Sequence, residues 1–236
     1  MDIRISDALD AHALGARLQS DRRIQIRDFL QPDSAEALLQ AVQSNKDWFL
    51  AYNENGRGVE VPLAEVQAAQ PQTRQQLFAH INATAASQFQ YCFLQYAISD
   101  EVNRGANPGH ALHAVHEFYN GPTWLDFMRT MTGVTEISHG DTLCSNYSAG
   151  HFLTIHDDKH ERRDRVAAYV LSLTRDWQPD WGGHLAFLDD DGNIEQAFMP
   201  AFNTLNIFLV PQNHSVQQVA TFAKGSRLSL TGWVYR

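Results

Sequence analysis

Eight short runs of strand-forming residues occupy the second half of this chain. Glycine, aspartate and asparagine residues separate the runs, which cover roughly residues 135–147, 150–156, 166–174, 184–188, 194–199, 204–210, 215–222 and 227–235. Many short strands at such spacing are typical of closed or double-layered all-β folds. The pattern therefore predicts a double-sheet jelly roll or barrel over residues 135–236.

The first half has a different texture, with helical periodicity and only one strand-like run. Helices are predicted over residues 32–45, over 63–87 with a break near Pro71, and from Gly121-Pro122 through Met131, with a strand from Phe89 to Ile98. Residues 99–113 contain glycine and proline and are predicted to form a surface loop or lid. We predict one domain of mainly β class, in which an N-terminal helical and strand elaboration (1–134) precedes a catalytic core (135–236).

Charge and composition argue against several classes of protein. The formal net charge is −9 and no run of lysine or arginine appears, which disfavours nucleic-acid binding. Cys92 and Cys144 form no CxxC pair, and no signal peptide or long apolar segment is recognisable. We expect a cytoplasmic protein without nucleic-acid or membrane partners. The apolar stretches at 89–98 and 115–128 fit core packing or a dimer interface, so monomer and homodimer both stay open.

Candidate metal ligands lie at the end of the run that precedes residue 157. If the backbone stays extended, alternation sends His156 and Asp158 to one face and Asp157 to the other. His214 follows the apolar run 204–210 and supplies a third ligand. Two neutral imidazoles and one carboxylate on one face of an iron ion leave positions open for a co-substrate and dioxygen. A His-Asp pair alone is common on protein surfaces, so this triplet by itself is weak evidence.

Arg227 strengthens the metal-site hypothesis because it begins the last alternating run. It shares a polar face with Ser229 and Thr231, while Leu228 and Leu230 occupy the other face. A guanidinium grips a carboxylate through two parallel hydrogen bonds. A co-substrate bound to iron at one end and to an arginine at the other is the geometry that 2-oxoglutarate requires.

Taken in order, these motifs resemble those of a known family. They are Asn146-Tyr147-Ser148, His156-Asp157-Asp158, Leu173-Thr174-Arg175-Asp176-Trp177, Gly182-Gly183-His184-Leu185, His214-Ser215-Val216 and Arg227-Leu228-Ser229-Leu230-Thr231-Gly232-Trp233. Over residues 141–236 the chain resembles the prolyl 4-hydroxylase-like branch of the 2-oxoglutarate and iron(II)-dependent oxygenases, particularly its hypoxia-factor and ribosomal-protein prolyl hydroxylases.

The resemblance implies a double-stranded β-helix core and a set of roles. His156, Asp158 and His214 would bind Fe(II), and Arg227 would bind the distal carboxylate of 2-oxoglutarate. Tyr147 would line the pocket, and Thr231 and Trp233 would share the strand face of Arg227. Dioxygen would be the second co-substrate and ascorbate a supporting reductant.

The sequence departs from the family pattern at two places. Ser172 stands where many relatives carry a tyrosine that holds the distal carboxylate, which leaves more of that task to Arg227. The 13 residues from His214 to Arg227 exceed the spacing in many relatives, and residues 223–226 could absorb the excess as a turn.

The resulting hypothesis is hydroxylation of a prolyl C–H bond in a protein or peptide, with 2-oxoglutarate decarboxylated to succinate. Alternatives are a hydroxylase of a free amino acid or small metabolite, a cupin-type dioxygenase or zinc hydrolase that does not use 2-oxoglutarate, and a non-catalytic interaction domain. His110, His113 and His116 have no evident carboxylate partner, so a second metal site is not expected there. His184 could be structural, face the substrate or have no role.

Overall fold

The structure is a computed structural model that describes residues 1–161 and 163–236. Its α-helices are α1 (Ala11–Asp21), α2 (Pro32–Ser44), α3 (Leu63–Ala68), α4 (Pro71–Ala85), α5 (Ile98–Arg104), α6 (His113–Tyr119) and α7 (Pro122–Thr132). Its strands are β1 (Arg23–Arg27), β2 (Phe49–Glu54), β3 (Arg57–Pro62), β4 (Tyr91–Tyr96), β5 (His139–Gly140), β6 (Leu143–Tyr147), β7 (Phe152–His156), β8 (Arg165–Ser172), β9 (Leu185–Leu188), β10 (Ile194–Phe198), β11 (Thr204–Leu209), β12 (His214–Val216) and β13 (Arg227–Tyr235). None of the helices in these ranges has the length and apolar character needed to cross a lipid bilayer.

The strands within the described ranges join in one antiparallel sheet that curls into a nearly closed barrel. Its order is β1-β11-β8-β13-β6-β4-β7-β12-β9-β10, with the β2–β3 hairpin attached to β4 and β5 attached to β13. Side chains connect the two ends of this path. Arg23 on β1 donates to Glu195 at 2.6 Å and to Gln196 at 3.0 Å, both on β10. This is the double-stranded β-helix core that the sequence predicted.

Helices pack on the sheet and bury the largest of its hydrophobic clusters. On α2, Ala35, Leu38, Leu39 and Val42 recur at helical spacing and are buried, while the opposite face is solvated. Trp124 on α7 packs edge-on against Tyr169 of β8 at 4.9 Å. Burying each such large side chain stabilises the fold by roughly 1.5–3 kcal/mol. The helical layer leaves the barrel interior free to form a site.

Most predicted elements are confirmed, including α2, the break before Pro71 and α7. The surface loop predicted over 99–113 is wrong in its first part, because residues 98–104 form α5. That helix has acidic residues in its first turn and ends at Gly105, whose positive φ of 67° suits a helix C-cap. The hairpin β2–β3 was missed, although Asn55-Gly56 marks its turn with φ values of 53° and 79°.

The N-terminal strands are integral to the sheet. β1 pairs with β11, and β4 lies between β6 and β7 in the strand order. A single domain that spans residues 1–134 and 135–236 is therefore our proposal for the organisation of the chain.

Candidate metal centre

A β-bulge in β7 directs His156 into the barrel. Leu153 pairs with Val216 and His156 pairs with His214, so three steps along β7 match two steps along β12. A bulge of this kind inserts one extra residue and re-aims the side chains beyond it. Leu153 and His156 consequently both line the internal cavity, whereas Ile155 is 53% exposed on the outside.

Asp158 reaches the same place by a different backbone route. It lies beyond the end of β7 and has a φ of 63°, in the left-handed region that aspartate tolerates better than most residues. Its side chain is only 4% exposed. The strand-alternation argument is therefore wrong for this segment, although the pair of residues it selected does converge. Asp157 also lines the cavity, and its carboxylate accepts a hydrogen bond from Lys159 N at 2.9 Å.

The three residues predicted as ligands meet at one point. The Nε2 atoms of His156 and His214 each lie 3.5 Å from a different carboxylate oxygen of Asp158. One ligand atom from each residue falls within 4.8 Å of the others, and no other group of three or more His, Cys, Asp or Glu residues in the described part of the chain has this geometry. The arrangement matches two imidazoles and one carboxylate on one face of a metal ion.

Hydrogen bonds orient both imidazoles for ligation. His156 Nδ1 lies 2.9 Å from the carbonyl oxygen of Thr154, and His214 Nδ1 lies 2.8 Å from that of Gln212. A carbonyl can only accept, so each Nδ1 carries the proton and each Nε2 presents its lone pair toward Asp158. Burial, together with the neighbouring His156, lowers the pKa of His214 to about 4. His214 is therefore neutral near pH 7, as a metal ligand must be.

The predicted site residues line one cavity of about 450 Å³. Its lining includes the three metal-ligand candidates and also Tyr147, Arg227, Thr231 and Trp233. Thr231 donates its hydroxyl to the carbonyl of Tyr169 at 3.1 Å. The structure thus brings together every residue that was predicted from the sequence to bind iron or to contact 2-oxoglutarate.

Arg227 is a buried cation without an acidic partner in the part of the chain that the structure describes. It is 3% exposed, its Nε has no hydrogen-bond partner there, and its Nη1 lies 3.4 Å from Ser229 Oγ. The guanidinium carbon lies 5.0 Å from the centre of the Tyr147 ring. Burial lowers the pKa of Arg227. A buried, unpaired guanidinium that faces a cavity is suited to bind a carboxylate.

Hydroxyl groups surround this end of the cavity. Ser145 and Ser229 on neighbouring strands are 3.0 Å apart through their Oγ atoms. Ser172 is the cross-strand partner of Ser229 and is buried, and its hydroxyl has no hydrogen-bond partner among the described residues. The missing tyrosine is thus replaced by a small hydroxyl beside the arginine strand.

Sequence reasoning missed Arg165. Its Nη1 donates to the carbonyl of Asp158 at 3.0 Å and lies 3.6 Å from an Asp158 carboxylate oxygen. Its guanidinium stacks over the Trp233 ring at 3.8 Å. No local signal in the polar segment 159–165 indicates this contact, because Trp233 lies on a distant part of the chain.

An aromatic wall on β4 was also missed, although its alternation is visible in the sequence. Phe89, Tyr91 and Phe93 follow one another with ring centroids 5.8 and 5.6 Å apart, and Phe93 stacks on Tyr147 at 4.7 Å. Phe89 is 45% exposed and its ring centroid lies 5.5 Å from that of His156. The wall therefore runs from an exposed edge of the cavity down to the Arg227 end.

The other histidines that the sequence analysis singled out lie outside the metal site. His113 Nε2 lies 3.1 Å from Tyr96 OH, His116 Nδ1 lies 2.9 Å from Ser99 Oγ, and His110 Nε2 lies 3.7 Å from a carboxylate oxygen of Asp47. Burial lowers the pKa of His110 and of His116. His184 is not among the residues that line the cavity.

Comparison with known proteins agrees with this geometry. Residues 142–235 match the model of the 2OG-Fe(II) oxygenase superfamily. Mouse prolyl 3-hydroxylase OGFOD1 is 32% identical over 120 residues, which cover 47% of this chain but only 22% of the length of that relative.

Solved structures extend the likeness to the whole fold. A prolyl-4-hydroxylase from Pseudomonas putida matches with a TM-score of 0.59 and 18% identity, over 96% of this chain and 99% of that one. A prolyl hydroxylase from Trichoplax adhaerens, in complex with a hypoxia inducible factor peptide, matches with a TM-score of 0.62 and 17% identity, over 95% and 88% of the two chains. Residues 142–235 are therefore similar to the 2OG-Fe(II) oxygenase superfamily, and the chain as a whole has the fold of these two prolyl hydroxylases.

Proposed function

We propose that this chain is a 2-oxoglutarate- and Fe(II)-dependent dioxygenase that hydroxylates a prolyl residue in a protein or peptide. One observation carries the proposal: a group of two imidazoles and one carboxylate shares its cavity with a buried arginine that has no acidic partner among the described residues. The first group suits Fe(II), and the second suits the far end of a dicarboxylate.

The donor atoms are of the types that bind iron, and hydrogen bonds hold them in place. His156 and His214 present Nε2 atoms that are held by backbone carbonyls, and Asp158 offers both carboxylate oxygens. Iron at this site would supply dioxygen activation coupled to decarboxylation of 2-oxoglutarate to succinate. Arg165 holds the backbone of Asp158 and so keeps the carboxylate within reach of the two imidazoles.

The co-substrate would lie between the three candidate metal ligands and Arg227. Arg227 would bind the distal carboxylate, with Ser229 as a second donor and Tyr147 beneath the guanidinium. Thr231 and Trp233 would pack beside the carbon backbone of the co-substrate. Because these groups are fixed by strand pairing before any ligand arrives, little reorganisation is needed on binding.

A prolyl substrate is supported by the relatives and by the cavity. The matched mouse protein is named a prolyl 3-hydroxylase, and the Trichoplax prolyl hydroxylase is in complex with a hypoxia inducible factor peptide fragment. The aromatic wall from Phe89 to Phe93 offers flat apolar faces suited to a proline ring. Ascorbate as a supporting reductant, a monomeric or homodimeric state and a cytoplasmic location stay predictions.

Metal and co-substrate binding test the enzyme class. Anaerobically prepared protein should bind one Fe(II) or Mn(II) per chain, and 2-oxoglutarate should bind only to the metal-loaded form, both measured by calorimetry. His156→Ala and His214→Ala should lose the metal, whereas His80→Ala, which alters an exposed histidine paired with Glu54, should keep it. Wild-type protein that binds metal but not 2-oxoglutarate would favour a cupin-type enzyme or a zinc hydrolase. Protein that binds neither would favour a non-catalytic domain.

Peptide turnover tests the substrate class. Proline-containing peptides should accelerate succinate release by the iron-loaded protein, and the same peptides with proline replaced by alanine should not. Free proline and other amino acids serve as the comparison. Equal acceleration by a free amino acid would move the small-molecule alternative to the front.

A further inference from the structure

A buried glutamine connects the β2–β3 hairpin to the strands around the metal centre. Gln90 is fully buried, and its side-chain amide makes a paired contact with the backbone of Asn53: Oε1 accepts from Asn53 N at 2.7 Å and Nε2 donates to Asn53 O at 2.8 Å. The Asn53 side chain returns a bond to the carbonyl of Phe89 at 2.7 Å. These three hydrogen bonds fix Gln90 and Asn53 against each other inside the protein.

Thr154 joins Gln90 to strand β7 in an unusual way. In a regular antiparallel pair, two opposite residues exchange both of their backbone N–H···O=C bonds. Thr154 N does donate to Gln90 O at 2.9 Å, but Gln90 N donates to the hydroxyl Oγ1 of Thr154, also at 2.9 Å, instead of to its carbonyl. The same hydroxyl donates to Gln90 O at 3.0 Å.

This replacement leaves the carbonyl of Thr154 available for a different donor. Thr154 is one of the two residues in the bulge of β7, and its carbonyl accepts the bond from His156 Nδ1 at 2.9 Å. The hydroxyl thus completes the ladder with Gln90 while the carbonyl orients the imidazole. A side chain without a hydroxyl at this position cannot do both.

We propose that Thr154, through its pairing with the backbone of Gln90, is a positioning residue for the metal ligand His156. The inference rests on the proposed function, because it concerns how firmly the metal is held. With valine at position 154, the backbone N–H of Gln90 would lose its acceptor. The carbonyl of residue 154 would then turn toward this N–H to replace the lost hydrogen bond. His156 Nδ1 would then lose the bond that fixes its ring and tautomer, and such losses typically weaken metal affinity by about 10–100-fold.

Co(II) titration of the full chain tests the proposal, with visible absorption as the readout. Thr154→Val should weaken Co(II) binding by about 10–100-fold and alter the ligand-field spectrum, while Thr154→Ser should restore both. The matched control is Thr132→Val, because the hydroxyl of Thr132 in α7 also donates to a carbonyl and accepts from a backbone amide. It should lower thermal stability without changing the Co(II) affinity or spectrum.

The possible failures can be told apart. Wild-type protein that binds no Co(II) would overturn the proposed function itself. Folded Thr154→Val with wild-type affinity and spectrum would overturn only the positioning role. If Thr154→Val does not fold, Thr154→Ala, which also lacks the hydroxyl, is measured in the same way; binding weaker than in Thr132→Val supports the proposal, and unchanged binding overturns it.

Discussion

Replacing Arg227 with methionine should stabilise the free protein and abolish tight co-substrate binding at the same time. Arg227 is buried at 3% exposure, and the part of the chain that the structure describes offers it no carboxylate. Its compensation consists of the Tyr147 ring and one long contact with Ser229. Methionine has a similar length and no charge to desolvate, so it removes the cost of the buried cation.

The two effects can be sized from the contacts. Replacing buried charges with apolar side chains of similar volume is often neutral or stabilising by up to about 4 kcal/mol, and the ring contact offsets about 2 kcal/mol of that gain. A net gain of about 2 kcal/mol corresponds to a Tm increase of about 4–8 °C for a domain of this size. Losing one partner of a buried charge pair costs about 3–5 kcal/mol, which weakens 2-oxoglutarate binding by about two to three and a half orders of magnitude.

The assay combines thermal unfolding of the metal-free protein with calorimetric titration of 2-oxoglutarate into the Mn(II)-loaded form. Arg227→Lys keeps the charge but loses the two-pronged grip, so its affinity should be intermediate. Arg104→Met, at an exposed arginine in the last turn of α5, is the control and should change neither quantity appreciably. A clearly destabilised Arg227→Met would show that the buried cation does not cost stability, and a variant that binds 2-oxoglutarate as tightly as wild type would exclude Arg227 as its carboxylate partner.

Two further predictions concern stability. Gly232→Ala should cost more than about 3 kcal/mol in urea denaturation, because the new Cβ would overlap the backbone carbonyl oxygen of Asp141. Gly192→Ala has open space and should cost only about 1–2 kcal/mol, from its positive φ of 85°; a similar cost for both would contradict the packing argument. Burial lowers the pKa of His151 below 6.5, and its Nδ1 accepts a bond from Ser148 N, so the unfolded chain takes up this proton more readily than the folded protein. The contribution of His151 to the free energy of unfolding should be fully present above the usual histidine pKa and be lost as pH falls through the lower pKa of the folded protein. Urea denaturation above and below the usual pKa should show a smaller pH dependence of this free energy for His151→Asn than for wild type. An equal pH dependence in the two proteins would exclude His151 as its cause.

The chemistry of the site was more predictable than its backbone. His156, Asp158, His214 and Arg227 could be selected because their side-chain types carry recognisable chemistry and stand at the ends of apolar runs. The bulge in β7 could not be selected, since it arises from the register between β7 and β12, which are far apart in sequence. Alternation therefore placed Asp158 on a strand that in fact ends at His156.

Other omissions have different causes. The Asn55-Gly56 turn carried a strong local signal for the β2–β3 hairpin that was not used. Helix α5 is only seven residues long, and its apolar residues are too few to show a helical period. The contact of Arg165 with Trp233 depends on tertiary packing between β8 and β13, which no local pattern reports.

Succinate release from 2-oxoglutarate is the decisive measurement of the proposed activity. Anaerobic protein loaded with Fe(II) and 2-oxoglutarate is exposed to air, and succinate is quantified for wild type, His156→Ala and Arg227→Met. Wild type should release succinate slowly even without a prolyl substrate, and no release above background is expected for His156→Ala or, at limiting 2-oxoglutarate, for Arg227→Met. Release that persists in His156→Ala, or its absence from metal-loaded wild type in the presence of prolyl peptides, would contradict the proposed function.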